Sequence, residues 1–286
     1  MLYQTYQAHE DLMWPYRTLA KTSIPVLADE RSCLRDTKTV RGMAAACQTF
    51  ALSGISHKRP PFAIDSVMVG DREVAVREDR TYVTPFATLL RETVRTMLAD
   101  HDVYITDWHN ARDVPYFAGP FGLDEYTEHI MSFTRYIGEN THVVAICQPC
   151  VSALAAVALM SEDADPCTPA SLTLMAGPID CRINPTAVNK LAVTKSVEWF
   201  EKNLIDRVPM RYMGAFRRVY PGFIQLSAFM NMNLERHMNA FRGYYDNLAA
   251  GEFEKAEATR SFYEEYFAVA DLPAEFYLET VQKVFQ

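Results

Sequence analysis

Apolar positions near the start of the chain (Leu2, Tyr3, Tyr6, Leu12, Met13, Tyr16, Leu19) recur at roughly helical spacing and predict an amphipathic helix. Such a helix serves either as a surface-binding arm or as an element packed on its own domain. The period changes in the middle of the chain. Residues 102–108 (DVYITDW) are β-branched and aromatic and read as a buried parallel strand, followed by a loop containing Pro115, Gly119 and Pro120. Leu123, Tyr126, Ile130, Phe133 and Ile137 then return every three or four positions, predicting a helix over 123–137 that Gly138 and Asn140 close. Residues 142–146 (HVVAI) read as the next strand. Residues 151–160 (VSALAAVALM) read as a helix apolar nearly all round and therefore buried. Residues 171–176 (SLTLMA) read as a third strand, ended by Gly177 and Pro178. Strand and helix in alternation imply an α/β fold, a parallel sheet covered by helices.

From Pro185 the pattern is helical, over 189–206, 223–248 and 252–286, with punctuation at Pro209, Pro221–Gly222 and Gly251. No further strand is expected. The chain thus divides by pattern into an α/β section, 1–184, and a helical block, 185–286. A helical block after a parallel sheet is either a cap over an active site or an ordinary helical domain. There is no internal repeat and no low-complexity linker.

Composition narrows the classes. Of the 286 residues 49% are apolar and 12% aromatic, the make-up of a globular protein. With 28 basic and 36 acidic residues the formal charge is −8, which argues against a nucleic acid as partner. The N-terminal stretch lacks a basic n-region, an unbroken apolar run and a small-residue cleavage site, so no export signal is expected. No apolar run reaches the ~18–20 residues needed to span a bilayer, and a soluble chain without a membrane segment is expected. The six cysteines (33, 47, 147, 150, 167, 181) are then read as reduced thiols. Neither paired CxxC motifs nor HExxH occurs, so no metal site is expected.

The chemistry concentrates at Ala145-Ile146-Cys147-Gln148-Pro149-Cys150. A nucleophile elbow places a reactive residue on a sharp turn between strand and helix and needs non-clashing neighbours two positions to either side. Here Ala145 is small and Pro149 suits the first turn of a helix. Cys147 would face the positive end of that helix, which favours a thiolate, and the Gln148 N–H would be one oxyanion-hole donor. The motif lacks both usual glycines. The same residues are also a CxxC opening a helix, as in thiol–disulfide oxidoreductases, and they are equally compatible with two small buried thiols in a packed turn.

Five long stretches carry a resemblance: VYITDWHNARDVP (103–115), HVVAICQPCVSALAAVALM (142–160), LMAGPIDCRINPTAVN (174–189), RRVYPGFIQLSAFMNMNLERH (217–237) and RSFYEEYFAVADLPAEFYLETVQKVFQ (260–286). With its C-Q-P elbow and the following L-A-A-V-A-L-M helix, the chain resembles the intracellular polyhydroxyalkanoate (polyhydroxybutyrate) depolymerases over nearly its whole length. The resemblance implies an α/β-hydrolase-like core, 1–184, incomplete, with a helical cap, 185–286. It implies hydrolysis of ester bonds in stored 3-hydroxyalkanoate polymer at granules in the cytoplasm, with Cys147 as nucleophile and no metal or organic cofactor. Cys150 stands at a position where the family is expected to vary.

The chain departs from the family pattern in two places. Phe86 precedes Ala87-Thr88-Leu89-Leu90-Arg91 directly, where the family carries an extra strand and a Ser-Gly-His loop placed for a second oxyanion donor; this reads as an internal deletion near residue 86. The chain also stops at Gln286, before the family's final section with the triad Asp and His and its strands. Of the seven histidines (9, 57, 101, 109, 129, 142, 237), His109 and His237 are the two candidates to replace the missing base.

Other features carry two readings each. Asp107-Trp108 and Asp180-Cys181-Arg182 lie at strand C-terminal ends, where α/β sites form. Asp180 would either shape the site or make a structural pair with Arg182. The run Tyr220–Met232 would either grip an apolar polyester or pack a core, and the acidic stretch Glu252–Glu265 reads as a solvated helix face. The expected mechanism is attack of Cys147 on an ester carbonyl, an oxyanion held by the Gln148 N–H, and hydrolysis of the resulting thioester by a His-activated water. The alternatives are a non-catalytic homologue bound to the granule surface, and a dithiol redox protein using Cys147 and Cys150. The expected partner in either of the first two cases is the polymer or its granule surface.

Overall fold

The computed structural model describes all residues except 1, 30, 32, 59, 62–64, 70, 77–78, 86, 92–96 and 98–99. The junction at Phe86 lies outside the described residues. The described chain is mixed α/β, with helices α1 to α10 and strands β1 to β10 gathered in small sheets. It divides into two compact units. One comprises residues 1–62 and 221–271, the other residues 63–220 and 272–286.

The first unit is helical. It holds α1 (Leu2–Leu27) and α2 (Lys38–Leu52). After residue 220 come α7 (Gly222–Asn231), α8 (Leu234–Ala250) and α9 (Phe253–Tyr266). The predicted N-terminal helix is present, and it buries Tyr3 and Ala20 while Leu12, Trp14, Tyr16 and Leu19 stay exposed. Thr37 caps α2 by accepting from the Val40 N–H. Gly251 ends α8 in the left-handed conformation, φ +85°, where a Cβ would be strained. Two apolar clusters form the core: Ala45, Tyr244, Leu248 and Ala256, and Leu226, Tyr263 and Phe267 with Phe241 against them. The expected solvated face of α9 is seen, with Lys255 paired to Glu252, and Arg260 to Glu257 and Glu264, all half-exposed.

One buried polar group organises this unit. The Asp271 carboxylate, 1% exposed, accepts the Tyr3 hydroxyl at 2.6 Å and the Gly222 N–H, at the head of α7, at 2.7 Å. Both donors would otherwise be stranded without water. Asp271→Asn turns an N–H₂ toward one of the two donors, so it should cost about 2–4 kcal/mol. Tyr3→Phe removes one bond and should cost about 1–2 kcal/mol. Urea denaturation with the fluorescence midpoint as readout checks the order of the two; an Asn variant no less stable than the Phe variant would refute it.

The second unit carries the strands. Strands β1 (Ser66–Val69) and β2 (Arg72–Ala75) form an antiparallel pair. Strands β3 (Asp79–Val83), β4 (Ala87–Arg91) and β5 (Tyr104–Trp108) form an antiparallel sheet in that order. Thr84 closes the β3–β4 hairpin: its N–H donates to Ala87 O, and its hydroxyl oxygen accepts the Ala87 N–H at 2.9 Å. Helix α3 (Leu123–Ile137) and strand β6 (His142–Ile146) then match the predicted bounds, and α4 (Pro149–Glu162) and β7 (Ser171–Met175) follow. Strands β6 and β7 are parallel, in register from His142↔Ser171 to Ile146↔Met175, with α4 as their crossover.

Two expectations are corrected here. The strand at 102–108 does not join β6 and β7 in one parallel sheet among the described residues; β5 pairs antiparallel with β4, register Ala87↔Trp108 to Arg91↔Tyr104. Its partner Ala87–Arg91 is folded back against β3 by the Thr84 turn. Nor is α4 buried all round. Its small face (Cys150, Ser152, Ala153, Ala156) is buried, while Leu154 and Leu159 are exposed.

A third correction concerns residues beyond 185, which are not wholly helical. Alongside α5 (Ala187–Thr194), α6 (Val197–Leu204) and α10 (Ala274–Thr280), strands β8 (Asp206–Arg207), β9 (Arg218–Tyr220) and β10 (Leu272–Pro273) form a small antiparallel sheet. A π-helical turn over Val281–Phe285 packs Val281 against Ala192 and Phe200. Trp108 stacks on Tyr126 at 4.0 Å between ring centres, and Val114, Phe121 and Phe276 complete that core cluster.

The loop after β5 is held by a buried cation. Arg217, 4% exposed, donates to Val114 O at 3.2 Å, Pro115 O at 2.6 Å and Gly119 O at 2.8 Å. Burial pulls its pKa down, and the Glu275 carboxylate opposes that. With the backbone carbonyls turned in to the guanidinium, the side chains of Tyr116 and Phe117 are turned out, Phe117 being 91% exposed.

Candidate active site

Strand β6 and helix α4 abut with only Cys147 and Gln148 between them, so the chain must reverse within two residues. The structure does this at Cys147, which takes φ +67°. For a residue with a Cβ that conformation costs on the order of 1–3 kcal/mol and persists only where its surroundings hold it. They do: the Cys147 N–H donates to Met175 O at 2.7 Å, at the end of β7, and Cys147 O accepts the Cys150 N–H at 3.1 Å. The Cys147 side chain is exposed. Its neighbours Ile146 and Met175 lie on the solvent face of the β6–β7 pair with Val144, a face that a parallel sheet ordinarily buries.

Gln148 presents its backbone. Its side-chain amide turns away to donate to the Thr280 hydroxyl on α10, at 3.2 Å. Among the described residues its N–H has no hydrogen-bond acceptor, as is usual for donors at the head of a helix. Pro149 follows at the first helical position, where its missing N–H costs nothing.

Cys150, three residues on, is a core residue. It is fully buried beside Ala145 and Ala153, and its thiol donates to Ala145 O. All six cysteines are unpaired. The sequence pattern marks Gly177 only as the end of a strand. It packs against Cys150 so closely that a Cβ there would meet the Cys150 Cβ at 2.2 Å. The signal that could have singled it out is a glycine directly after the strand parallel to the elbow strand.

The structure brings no histidine onto the thiol: among the described residues Cys147 has no hydrogen bond to one. His109 lies in the loop after β5, its Nδ1 3.0 Å from Pro85 O. His237 belongs to the helical unit, where it is buried with Nδ1 2.9 Å from the Tyr263 hydroxyl. His129 is held between Glu125 O and the Thr84 hydroxyl, and His142 meets Ser171 at the far end of β6 from Cys147.

Asp180 makes the structural pair. Arg182 donates to it from Nε at 2.8 Å, from Nη2 at 2.7 Å and from its backbone N–H at 3.0 Å. These bonds hold the Asp180 pKa at about 2, and burial together with the Asp180 charge pushes the Cys181 thiol up. A folded value below the unfolded one means the pair is fully formed above the ordinary carboxylate range and is lost only as pH falls toward 2. A ¹³C-carboxyl titration should place Asp180 near that value, and Arg182→Gln should return it toward the ordinary value of about 4. An unmoved midpoint would assign the shift to something else. The Tyr220–Met232 run is split: Tyr220 and Leu226 are buried, and Phe229 and Met232 are exposed.

No group of three or more His, Cys, Asp or Glu side chains that could hold a metal is found among the described residues, and no helix among them is long and apolar enough to cross a membrane. Residues 176–286, beginning directly after β7, match the family model described as PHB de-polymerase C-terminus. This section of the chain is thus similar to the C-terminal part of the PHB depolymerases. The matched section contains Gly177, the Asp180–Arg182 pair, Arg217 and every helix from α5 onward, whereas Cys147 and Gln148 precede it. No curated protein and no solved structure matches the chain.

Proposed function

We propose that this chain is an α/β-hydrolase-like PHB depolymerase that cleaves polyester ester bonds through Cys147, acting on polymer granules in the cytoplasm without metal or organic cofactor. The observation that carries the reading is the strained, exposed Cys147 at φ +67° between β6 and α4, in a chain whose later section matches the PHB depolymerases. A residue with a Cβ held in that conformation is the geometry an elbow uses to lift its nucleophile clear of the sheet.

The chemistry follows from the groups at the turn. The Cys147 sulfur attacks the ester carbonyl carbon, and the carbonyl oxygen takes up the negative charge within reach of the open Gln148 N–H. Collapse breaks the bond to the alkoxy oxygen, which leaves with a proton as the hydroxyl end of the shortened polymer, and a 3-hydroxyacyl thioester remains on sulfur. Water then adds to the thioester and releases the acid and the thiol. This second step requires a base, for which His109 and His237 are the chain's own candidates.

The test is release of 3-hydroxybutyrate from amorphous PHB granules by the parent, Cys147→Ala, His109→Ala and His237→Ala chains, with granule co-sedimentation read in the same tubes. Loss of release in Cys147→Ala, with co-sedimentation kept, supports the reading. Co-sedimentation without release by the parent chain would replace it with a granule-bound homologue that does no hydrolysis. Burial of Cys150 with its thiol bonded to backbone counts against a redox pair.

A further inference from the structure

The fully buried thiol of Cys150 links the three pieces of backbone that make the elbow. Its single S–H proton faces Ala145 O, near the end of β6, at 3.2 Å, and Met175 O, at the end of β7, at 3.5 Å. Met175 O is the same carbonyl that accepts the Cys147 N–H, and the Cys150 N–H returns to Cys147 O. One side chain and one shared acceptor therefore tie both strand ends to the first turn of α4. Gly177 completes the arrangement. A Cβ there would lie 2.2 Å from the Cys150 Cβ, 2.5 Å from its sulfur and 3.0 Å from Cys147 O, so only glycine lets the chain leaving β7 pass over this thiol. Met175 O, from which that chain departs, is thereby kept in reach of the Cys147 N–H.

We propose that Cys150 and Gly177 are positioning residues that act through Cys147, holding its backbone in the left-handed turn at the head of α4. The inference rests on the reading of Cys147 as nucleophile, but its geometric content can be tested without that reading. A residue at 150 that only filled space could be exchanged for any small side chain. A residue that ties the turn needs a donor on a short stem, which Cys and Ser supply and Ala does not.

The experiment follows iodoacetamide alkylation of Cys147 by fragment mass spectrometry, with the Cys181 peptide as internal reference, in the parent, Cys150→Ala, Cys150→Ser and Gly177→Ala chains. In the same chains kcat and KM are measured on a soluble 3-hydroxybutyrate ester, with the melting temperature as a check of folding. The alanine variants are expected to alkylate Cys147 at least about fivefold more slowly, and to lose kcat with KM nearly unchanged. Cys150→Ser is expected to restore both to within about twofold of the parent. Alkylation in Cys150→Ala within about twofold of the parent, or a Ser variant no better than the Ala variant, would overturn the proposal. Should Gly177→Ala not fold, the Cys150 pair of variants decides. Hydrolysis retained by Cys147→Ala would sink the nucleophile instead, and the alkylation rates would still judge the positioning.

Discussion

A chain carrying Cys147→Ala is expected to release 3-hydroxybutyrate from amorphous granules at least about a thousandfold more slowly than the parent, with co-sedimentation unchanged. The size of the loss follows from what alanine leaves behind. The Gln148 N–H and the rest of the turn remain, but without sulfur the proposed acyl intermediate cannot form, and water must attack the ester directly. Stability should move by no more than about 0.5 kcal/mol, because Cys147 is exposed and alanine meets the same strain at φ +67°. Cys147→Gly separates strain from chemistry. It should be as inactive, yet more stable than the parent by about 1 kcal/mol, since glycine adopts a positive φ without penalty. Thermal denaturation of the two variants reads this difference. A glycine variant less stable than the alanine one would mean that the turn is not strained.

The largest effect on stability is expected from Arg217→Met. Methionine fills much of the volume and supplies no donor, leaving the carbonyls of Val114, Pro115 and Gly119 buried without their present partner. Unsatisfied acceptors cost about 1–3 kcal/mol each, and partial relaxation of an exposed loop returns some of that. The Glu275 carboxylate loses its nearby positive charge as well. A net loss of about 3–5 kcal/mol is expected, a fall in melting temperature of roughly 10 °C or more for a unit of this size. Arg217→Lys keeps the charge but not the planar fork of donors, and should lose about half as much. If the methionine variant melts within about 2 °C of the parent, the guanidinium is not what holds the loop.

Much of this was legible in the residues, and the reasons differ by element. The helix over 123–137 carries four turns of period and a Gly138 stop, and the structure reproduces its bounds because Glu125, bonding back to the Gly122 N–H, fixes its start. The strand over 142–146 is bounded by the turn itself. The antiparallel pairing of β5 was not legible. A β-branched, aromatic run shows that a strand is buried but not which way its neighbour points, and the neighbour Ala87–Arg91 has a sequence that suits either a helix or a strand. Strands β8 to β10, of two or three residues, are too short to show any period.

The sharp turn at Cys147 was legible because strand and helix signals meet there. The tie through Cys150 was not, because it depends on a carbonyl 25 residues further along the chain. Arg217 was hidden for a similar reason: its acceptors are backbone atoms about 100 residues away, and backbone acceptors leave no mark in a sequence.

The order of synthesis gives the division of the chain a further consequence. Helices α1 and α2 are synthesised before the elements that complete their unit, which begin only at residue 221, after the whole of residues 63–220 has been made. At about 5–20 residues per second the first helical pair waits roughly 10 to 30 s with Ala45 and its neighbours uncovered. The excursion 221–271 then starts and ends at Tyr220 and Leu272, which pair directly as β9 and β10. Translation speed across residues 63–220 thus sets how long a nascent chain carries an uncovered apolar face, and slow codons there would act as a quality hazard that the folded molecule does not show.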